Sequence, residues 1–243
     1  MTESGIPVQP EPWRPHDFDH RHGDVSGGWL RAATFGAMDG LVSNTALIAG
    51  VGATADSQAV VISGFAGLVA GAFSMALGEF ASVKTANEQI ESEVRVERRA
   101  FRMHPQAERA ELVAMFVDLG MSRETALQAT DELHRDENRA LNFHLSQELG
   151  VDPREKPSPY VAAISSFLMF AIGAIVPLMP YLLGFQSLWL GLLCGGVGLL
   201  IAGGVAARFT KKPVWFASLR QLLFGTVAIA ATFVVGHLVG AVV

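Results

Sequence analysis

The sequence predicts an all-α polytopic membrane protein with five transmembrane helices and a cytosolic helical bundle inserted between helices 2 and 3. Half of the 243 residues are hydrophobic and only 17% are charged, whereas an ordinary soluble domain carries about a quarter charged residues. The charge is also segregated: residues 84–156 hold 15 acidic and 11 basic side chains, but residues 157–243 contain no Asp or Glu. One chain therefore meets an apolar and an aqueous environment.

Five stretches are long and apolar enough to cross a bilayer, which takes about 20 mostly apolar residues. They are residues 29–52, 59–83, 160–183, 187–209 and 216–243. Pro177 and Pro180 should interrupt the third span, because each removes a backbone donor.

Two pairs of glycines four residues apart, Gly67 with Gly71 and Gly191 with Gly195, favour close helix packing such as a dimer seam. The alternative is that glycine is simply common in membrane helices.

The basic residues indicate an orientation. With the N-terminus in the cytoplasm, all 18 Lys and Arg lie on or at the edge of the inner face, as the positive-inside rule predicts. The chain then divides into a disordered cytosolic tail (1–28), helices 1 and 2 (29–83), a cytosolic metal-binding domain (84–157) and helices 3–5 (158–243), with the C-terminus outside. The His-rich tail segment 16–22 is interpreted as a disordered polar tail, with weak metal binding as the alternative.

Composition excludes other classes. The single cysteine, Cys194, rules out a disulfide framework and a cysteine-based zinc site. A net charge of −5 argues against a nucleic-acid partner, which would require a basic surface.

The insert is predicted to form four helices. The first continues the second span to about residue 104, and Pro105 opens the next in the first-turn position that suits proline. Ser122 caps the third, and the fourth runs from Glu137 to the glycine at position 150.

Carboxylates in this insert recur one helical turn apart, a spacing that places them on one helix face. Convergence of these pairs would form a site for a divalent cation. The alternative is an ordinary solvated charged surface. The pairs are Glu93 with Glu97, Glu108 with Glu111, and His144 with Glu148.

Two acids lie within the first two spans. Asp39 is near the middle of the first, where a carboxylate costs several kcal/mol unless it is paired, hydrated or bound to a cation; Asn44 and Thr45 add oxygen donors nearby. Glu79 lies toward the inner end of the second span, one turn after Met75. Carboxylates and a thioether together suit Fe²⁺ or Mn²⁺. The alternatives are a gap-filling methionine and an interfacial Glu79.

Three motifs carry a family resemblance: Met-Asp-Gly-Leu-Val-Ser-Asn at 38–44, Ala-Gly-Ala-Phe-Ser-Met-Ala-Leu-Gly-Glu-Phe at 70–80, and Val-Pro-Leu-Met-Pro-Tyr at 176–181. They resemble the vacuolar iron transporter family, and the resemblance covers essentially the whole chain after residue 20. It implies proton-coupled export of Fe²⁺, and often Mn²⁺, from the cytosol by a homodimer joined through its transmembrane helices. We expect a non-enzymatic transporter for metal detoxification in a bacterial inner membrane, with Zn²⁺ and Co²⁺ as further candidate ions.

The resemblance also implies roles for particular residues. Asp39 and Met75 would line the transport path, and the cytosolic helices would bind metal through four glutamates and through His144, where plant members have Met. The glutamates are Glu97, Glu108, Glu111 and Glu148.

The chain departs from the plant pattern at three positions. Ala100 and Leu145 replace carboxylates, and Gly67 replaces an intramembrane Glu. We expect Glu93 to compensate for Ala100, and Glu79 for Gly67.

Two other functions compete with transport. One is a membrane-anchored protein that binds or senses metal without moving it, although an anchor needs no intramembrane acids. The other is a membrane ferroxidase, which is disfavoured because no Glu has a His three residues later.

Overall fold

The computed structural model describes residues 28–148, 150, 156–210 and 212–240, and it confirms the all-α fold class. The predicted tail, apart from Gly28, lies outside the described residues. The elements in chain order are α1 Trp29–Gly52, α2 Ser57–Met103, α3 Pro105–Asp118, α4 Arg123–Leu133, α5 Glu137–Glu148, α6 Pro159–Ile175, a 3₁₀ turn Val176–Leu178, α7 Met179–Leu182, α8 Leu188–Thr210 and α9 Val214–Gly240.

Four helical segments within the described ranges are long and apolar enough to cross a membrane: Ser57–Met103, Pro159–Leu182, Leu188–Phe209 and Val214–Leu238. They match predicted spans 2 to 5. The first predicted span coincides with α1, which at 24 residues would extend about 36 Å. It is not among the four apolar segments, and it carries Arg31 and Asp39. That α1 also crosses the membrane, which would bring the number of spans to five, stays a prediction.

Helix α1 packs closely against α6 because glycines remove side chains from both surfaces. A Cβ atom at Gly36 would lie 2.7 Å from the Ser166 carbonyl oxygen, and one at Gly40 would collide with the Phe170 carbonyl. Gly36 and Gly40 are four residues apart, the spacing that lets helix backbones approach. α1 also contacts α2, α8 and α9, so it forms the centre of the apolar part of the protein.

Both glycine pairs singled out in the sequence face helices of the same chain. A Cβ at Gly67 would lie 2.6 Å from Leu47 Cδ2, and one at Gly71 would collide with the Phe170 ring. Gly195 contacts Thr45 in the same way. These glycines therefore serve close packing within one chain, and a seam between copies stays a prediction.

The third span is interrupted where the prolines predicted it. α6 ends at Ile175, the 3₁₀ turn follows, and α7 begins at Met179. Pro177 and Leu178 of the turn are buried, and Leu178 packs against Ile48 and Val60.

Helix α2 continues without a break from the apolar region into a bundle with α3, α4 and α5, as predicted. The Ser122 side chain caps α4 by accepting a hydrogen bond from the Thr125 amide at 3.2 Å. The returning chain is tied to α2 by Asn87, which donates to the Pro157 carbonyl at 3.0 Å, and by Lys156. The Lys156 ammonium donates to Glu91 at 3.0 Å and holds the pKa of that carboxyl below its usual range.

Candidate metal sites

The His144 side chain lies at the centre of the bundle's polar interior, between two pairs of carboxylates. Its Nδ1 atom is 3.5 Å from Glu97 Oε1 and 3.6 Å from Glu108 Oε2. Its Nε2 atom is 3.9 Å from Glu111 Oε2 and 3.7 Å from Glu148 Oε2. We call Glu97, Glu108 and Nδ1 the inner group, and Glu111, Glu148 and Nε2 the outer group.

These separations suit a shared ion better than direct hydrogen bonds. Most hydrogen bonds between nitrogen and oxygen are about 2.7–3.2 Å long. Two ligand atoms bound to one tetrahedral metal ion at about 2.1 Å lie about 3.4 Å from each other. Within each group the ligand atoms are all within 4.8 Å of one another, so modest rotations of the side chains would enclose a cation.

The inner group contains buried polar atoms that lack partners. Among the described residues, neither nitrogen of His144 has a hydrogen-bond partner, and neither does Glu97 Oε1 or Glu108 Oε2. Leaving such atoms unpaired in a protein interior is costly. Bound metal would satisfy them, since carboxylate and imidazole are ligands for borderline divalent ions.

The two groups differ in access to solvent. The Glu97 and Glu108 side chains are 15% and 11% exposed, whereas Glu111 and Glu148 are 52% and 44% exposed. Burial, together with the nearby Glu108 carboxylate, raises the pKa of Glu97 to about 7. The inner group is therefore the one in which proton and metal compete near neutral pH.

Apolar packing fixes the orientation of the imidazole. The Phe101 ring meets His144 edge to face, with ring centroids 5.6 Å apart. Phe101 also belongs to a buried cluster with Leu141 and Leu145. Leu145, which stands where the plant pattern has a carboxylate, is thus a core residue here.

Glu93 is the one predicted ligand outside both groups. It lies on α2 one turn before Glu97 and is half-buried. Among the described residues the structure brings the other five together, so the expected compensation for Ala100 by Glu93 is not seen at either group.

A second polar site lies in a cleft of about 330 Å³ between α1, α2 and Phe170. Asp39, Asn44 and Met75 all line it. Asn44 donates through Nδ2 to the Ala174 carbonyl at 2.5 Å, and its buried Oδ1 has no partner among the described residues. The cleft therefore offers a carboxylate, an amide oxygen and a thioether.

One neighbour of these residues, Thr45, is placed differently from expectation. The Thr45 hydroxyl donates to the Leu41 carbonyl, and Thr45 packs against Gly195 rather than lining the cleft. Gly67 does line the cleft, and a Cβ atom there would be 3.3 Å from Asn44 Oδ1.

Glu79 does not line the cleft but pairs with Arg31. Glu79 Oε2 accepts from Arg31 Nη2 at 3.0 Å, and their side chains are 10% and 67% exposed. Glu79 follows Gly67 by 12 residues on α2, about 18 Å along the helix. It is therefore not positioned to replace an acid at Gly67. In the sequence, Arg31 counted only among the basic residues that indicate the orientation in the membrane. No sequence motif near Arg31 or Glu79 predicted that they form an ion pair.

Comparison with known proteins identifies relatives that share most of this chain. The model of the VIT family matches residues 30–237. The chain is 36% identical to "Vacuolar iron transporter homolog 1" of Arabidopsis thaliana, over 87% of this chain and 84% of the relative. It is 31% identical to "Vacuolar iron transporter 1" of Oryza sativa subsp. japonica, over 94% and 93%, and 34% identical to "VIT-like transporter 1b" of Glycine max, over 88% and 77%.

The family match and the relatives each cover most of the chain. The relatives are named as transporters, which confirms the expectation of a non-enzymatic protein. The chain belongs to the VIT family.

Proposed function

We propose that this protein transports divalent metal across a membrane, with Fe²⁺ as substrate and Mn²⁺ as a second substrate, and exports it from the cytosol by proton antiport. The names of its relatives support iron. The observation that carries the proposal is the cleft that holds Asp39, Asn44 and Met75 within the apolar helices. An intramembrane acid beside further metal donors is functional by default, and an anchor for a sensor requires none.

The proposed topology has five spans, namely α1 and the four apolar segments that follow it. The distribution of Lys and Arg supports an N-terminus and a bundle in the cytosol and a C-terminus outside, in a bacterial inner membrane. The contacts of α1 with α2, α6, α8 and α9 support its place among the spans, because they bury Asn44 and Thr45 and leave Asp39 half-buried.

Metal capture begins in the bundle. The outer group meets solvent and receives the ion, and the inner group holds it in a buried setting. A neutral imidazole has a lone pair on only one of its nitrogens. His144 therefore serves one group at a time, and its tautomer selects which. Transfer from the outer to the inner group moves the ring proton from Nδ1 to Nε2.

The ion then follows α2 toward the cleft. It passes Glu79, whose pairing with Arg31 must open, and reaches Met75 one turn further along the helix. Asp39 receives it in the cleft. A proton that enters from outside neutralises the Asp39 carboxylate and releases the ion, which couples export to the proton gradient.

A second copy of the chain is proposed to complete the path. One face of α2 carries large apolar side chains that are exposed in the single chain: Phe65, Val69, Phe73 and Leu77. Their spacing of four residues keeps them on one side of the helix. Ser43 and Ser74, which line the cleft, are also exposed. A homodimer would bury this stripe at its Leu77 end and would cover the open side of the cleft, where these two serines lie.

Measurement of binding and flux on one preparation separates transport from sensing. The full chain is reconstituted into liposomes with an imposed pH gradient, and Fe²⁺ movement is followed together with Fe²⁺ binding. Transport predicts gradient-driven flux that falls when Glu97→Gln and Glu108→Gln weaken the inner group. Binding without flux in the wild-type chain would instead establish the metal-sensing alternative.

A further inference from the structure

An apolar groove of about 750 Å³ lies between α1, α6 and α8, and it shares no lining residue with the Asp39 cleft. At its Leu193 end, Gly195 and Gly198 of α8 fit against Thr45 and Leu41 of α1. At its Phe209 end the tight glycine contact of α8 is to α9, where Gly203 meets the Ala217 carbonyl.

The lining of the groove matches a hydrocarbon chain. It includes no charged side chain among the described residues, and its polar groups are limited to the Trp29 indole, Thr34 and Cys194. Along α8 it runs from Leu193 to Phe209, about 24 Å at 1.5 Å per residue. This is most of the hydrocarbon thickness of a bilayer, about 30 Å. No carboxylate or imidazole for a borderline divalent ion lines the groove among the described residues.

The Phe209 end of the groove is basic. Arg208 lies one residue before Phe209, Lys212 follows, and both side chains are exposed. Residues 157–243 contain no Asp or Glu, and no carboxylate in the described part of the chain forms an ion pair with either cation. Trp29 and Phe209, at the same end, are exposed aromatic residues, of which Trp in particular favours the membrane–water interface.

We propose that an anionic phospholipid occupies this groove. One acyl chain fills the apolar groove, and the phosphate headgroup sits between Arg208 and Lys212. Charge complementarity favours this occupant over a helix of a second copy, because an apolar helix would leave both cations without a counter-charge. The proposed topology would place this lipid in the cytosolic leaflet. The binding of the lipid does not depend on that topology.

The test uses the purified full-length chain in neutral detergent, with phosphatidylglycerol or phosphatidylcholine of identical acyl chains. Lipid retained per chain is measured by native mass spectrometry. We expect retention of phosphatidylglycerol to exceed that of phosphatidylcholine. Replacement of each cation, by Arg208→Gln and by Lys212→Gln, should reduce that preference about fivefold. Lys84→Gln, at the inner end of the second apolar segment, is the control and should leave the preference unchanged.

A groove-filling variant tests the apolar half independently. Ala202→Phe should reduce retention of both lipids, since its ring takes the place of the acyl chain. Equal retention of the two lipids by the wild-type chain would overturn the proposal. Undiminished lipid retention by a folded Ala202→Phe variant would also overturn it. If that variant changed from dimer to monomer without loss of lipid, a second copy of the chain would be the occupant. If Ala202→Phe does not fold, the lipid preference of Arg208→Gln and Lys212→Gln decides the outcome.

Discussion

The Arg31 guanidinium and the Glu79 carboxylate, 48 residues apart in sequence, join α1 to α2 at 3.0 Å. Arg31 is mostly exposed and Glu79 is mostly buried, so the two charges are not equivalent. Removal of Arg31 leaves a buried carboxylate without a partner, whereas removal of both leaves no charge to satisfy. The pair closes the inner approach to Met75 in the proposed path.

This asymmetry predicts an unequal double-mutant cycle. Arg31→Gln should destabilise the protein by about 1–3 kcal/mol, and Arg31→Gln combined with Glu79→Gln should recover most of that loss. Thermal unfolding of all four proteins in one detergent measures the coupling. Additive effects of the two substitutions would show that the pair contributes nothing as a pair.

Replacement of His144 by Met should change ion preference. The imidazole is a borderline ligand and the thioether a soft one, so His144→Met should weaken Mn²⁺ and Zn²⁺ binding in both groups. Isothermal titration of the full chain measures the two affinities. Glu124→Gln in α4, outside both groups, is the control. Equal affinities in the wild-type chain and His144→Met would remove His144 from the ligand set.

The raised pKa of Glu97 predicts opposite effects of pH on metal-free and metal-bound protein. Burial, with the Glu108 carboxylate, raises that pKa from 4.5 to about 7. The folded metal-free state thus holds a proton that the unfolded chain loses near pH 4.5. The stability contributed by that proton is full below pH 4.5 and is lost as the pH rises through about 7.

Metal binding needs the deprotonated carboxylate, so the stabilisation by Mn²⁺ should increase from pH 6 to pH 8. Thermal midpoints at pH 6, 7 and 8, with and without Mn²⁺, provide the comparison. Glu97→Gln should flatten the change with pH in both series. A wild-type protein whose metal-induced shift is the same at all three pH values would contradict the assignment of Glu97 as a ligand.

The closely packed glycines predict position-specific effects of one methyl group. Gly40→Ala should destabilise the protein by about 1–3 kcal/mol, since the added Cβ would collide with the Phe170 carbonyl of α6. Gly196→Ala is the matched control, because its Cβ would meet only Leu222 at an ordinary 3.7 Å. Similar thermal midpoints for the two variants would refute the proposed α1–α6 packing.

Helix boundaries were largely predictable because local chemistry determines them. Pro105 opens α3, Ser122 caps α4, and Pro177 lies in the turn that interrupts the third span. Each signal acts within a few residues of the boundary it sets. The tight packing of α1 on α6 was less predictable, because Gly36 and Gly40 have the same spacing as the glycine pairs of α2 and α8.

Sequence spacing predicted pairs of ligands but not which pairs meet. Glu93 and Glu97 share a face of α2, yet only Glu97 reaches His144, because the position of α5 along α2 decides the contact. Glu79 was likewise predicted to lie on the metal path only because it follows Met75 by one helical turn in the second span. Its partner Arg31 comes from another helix, and helix-face periodicity does not encode such a pairing.

Transport through the Asp39 cleft is tested by pH-gradient-driven Fe²⁺ flux of the Asp39→Asn variant in proteoliposomes. Asp56→Asn is the matched control, because that acid caps α2 and Asn retains the capping oxygen. We expect Asp39→Asn to lose flux but still to bind Fe²⁺ in the bundle, while Asp56→Asn transports normally. Full flux through a folded Asp39→Asn protein would show that the ion does not pass Asp39.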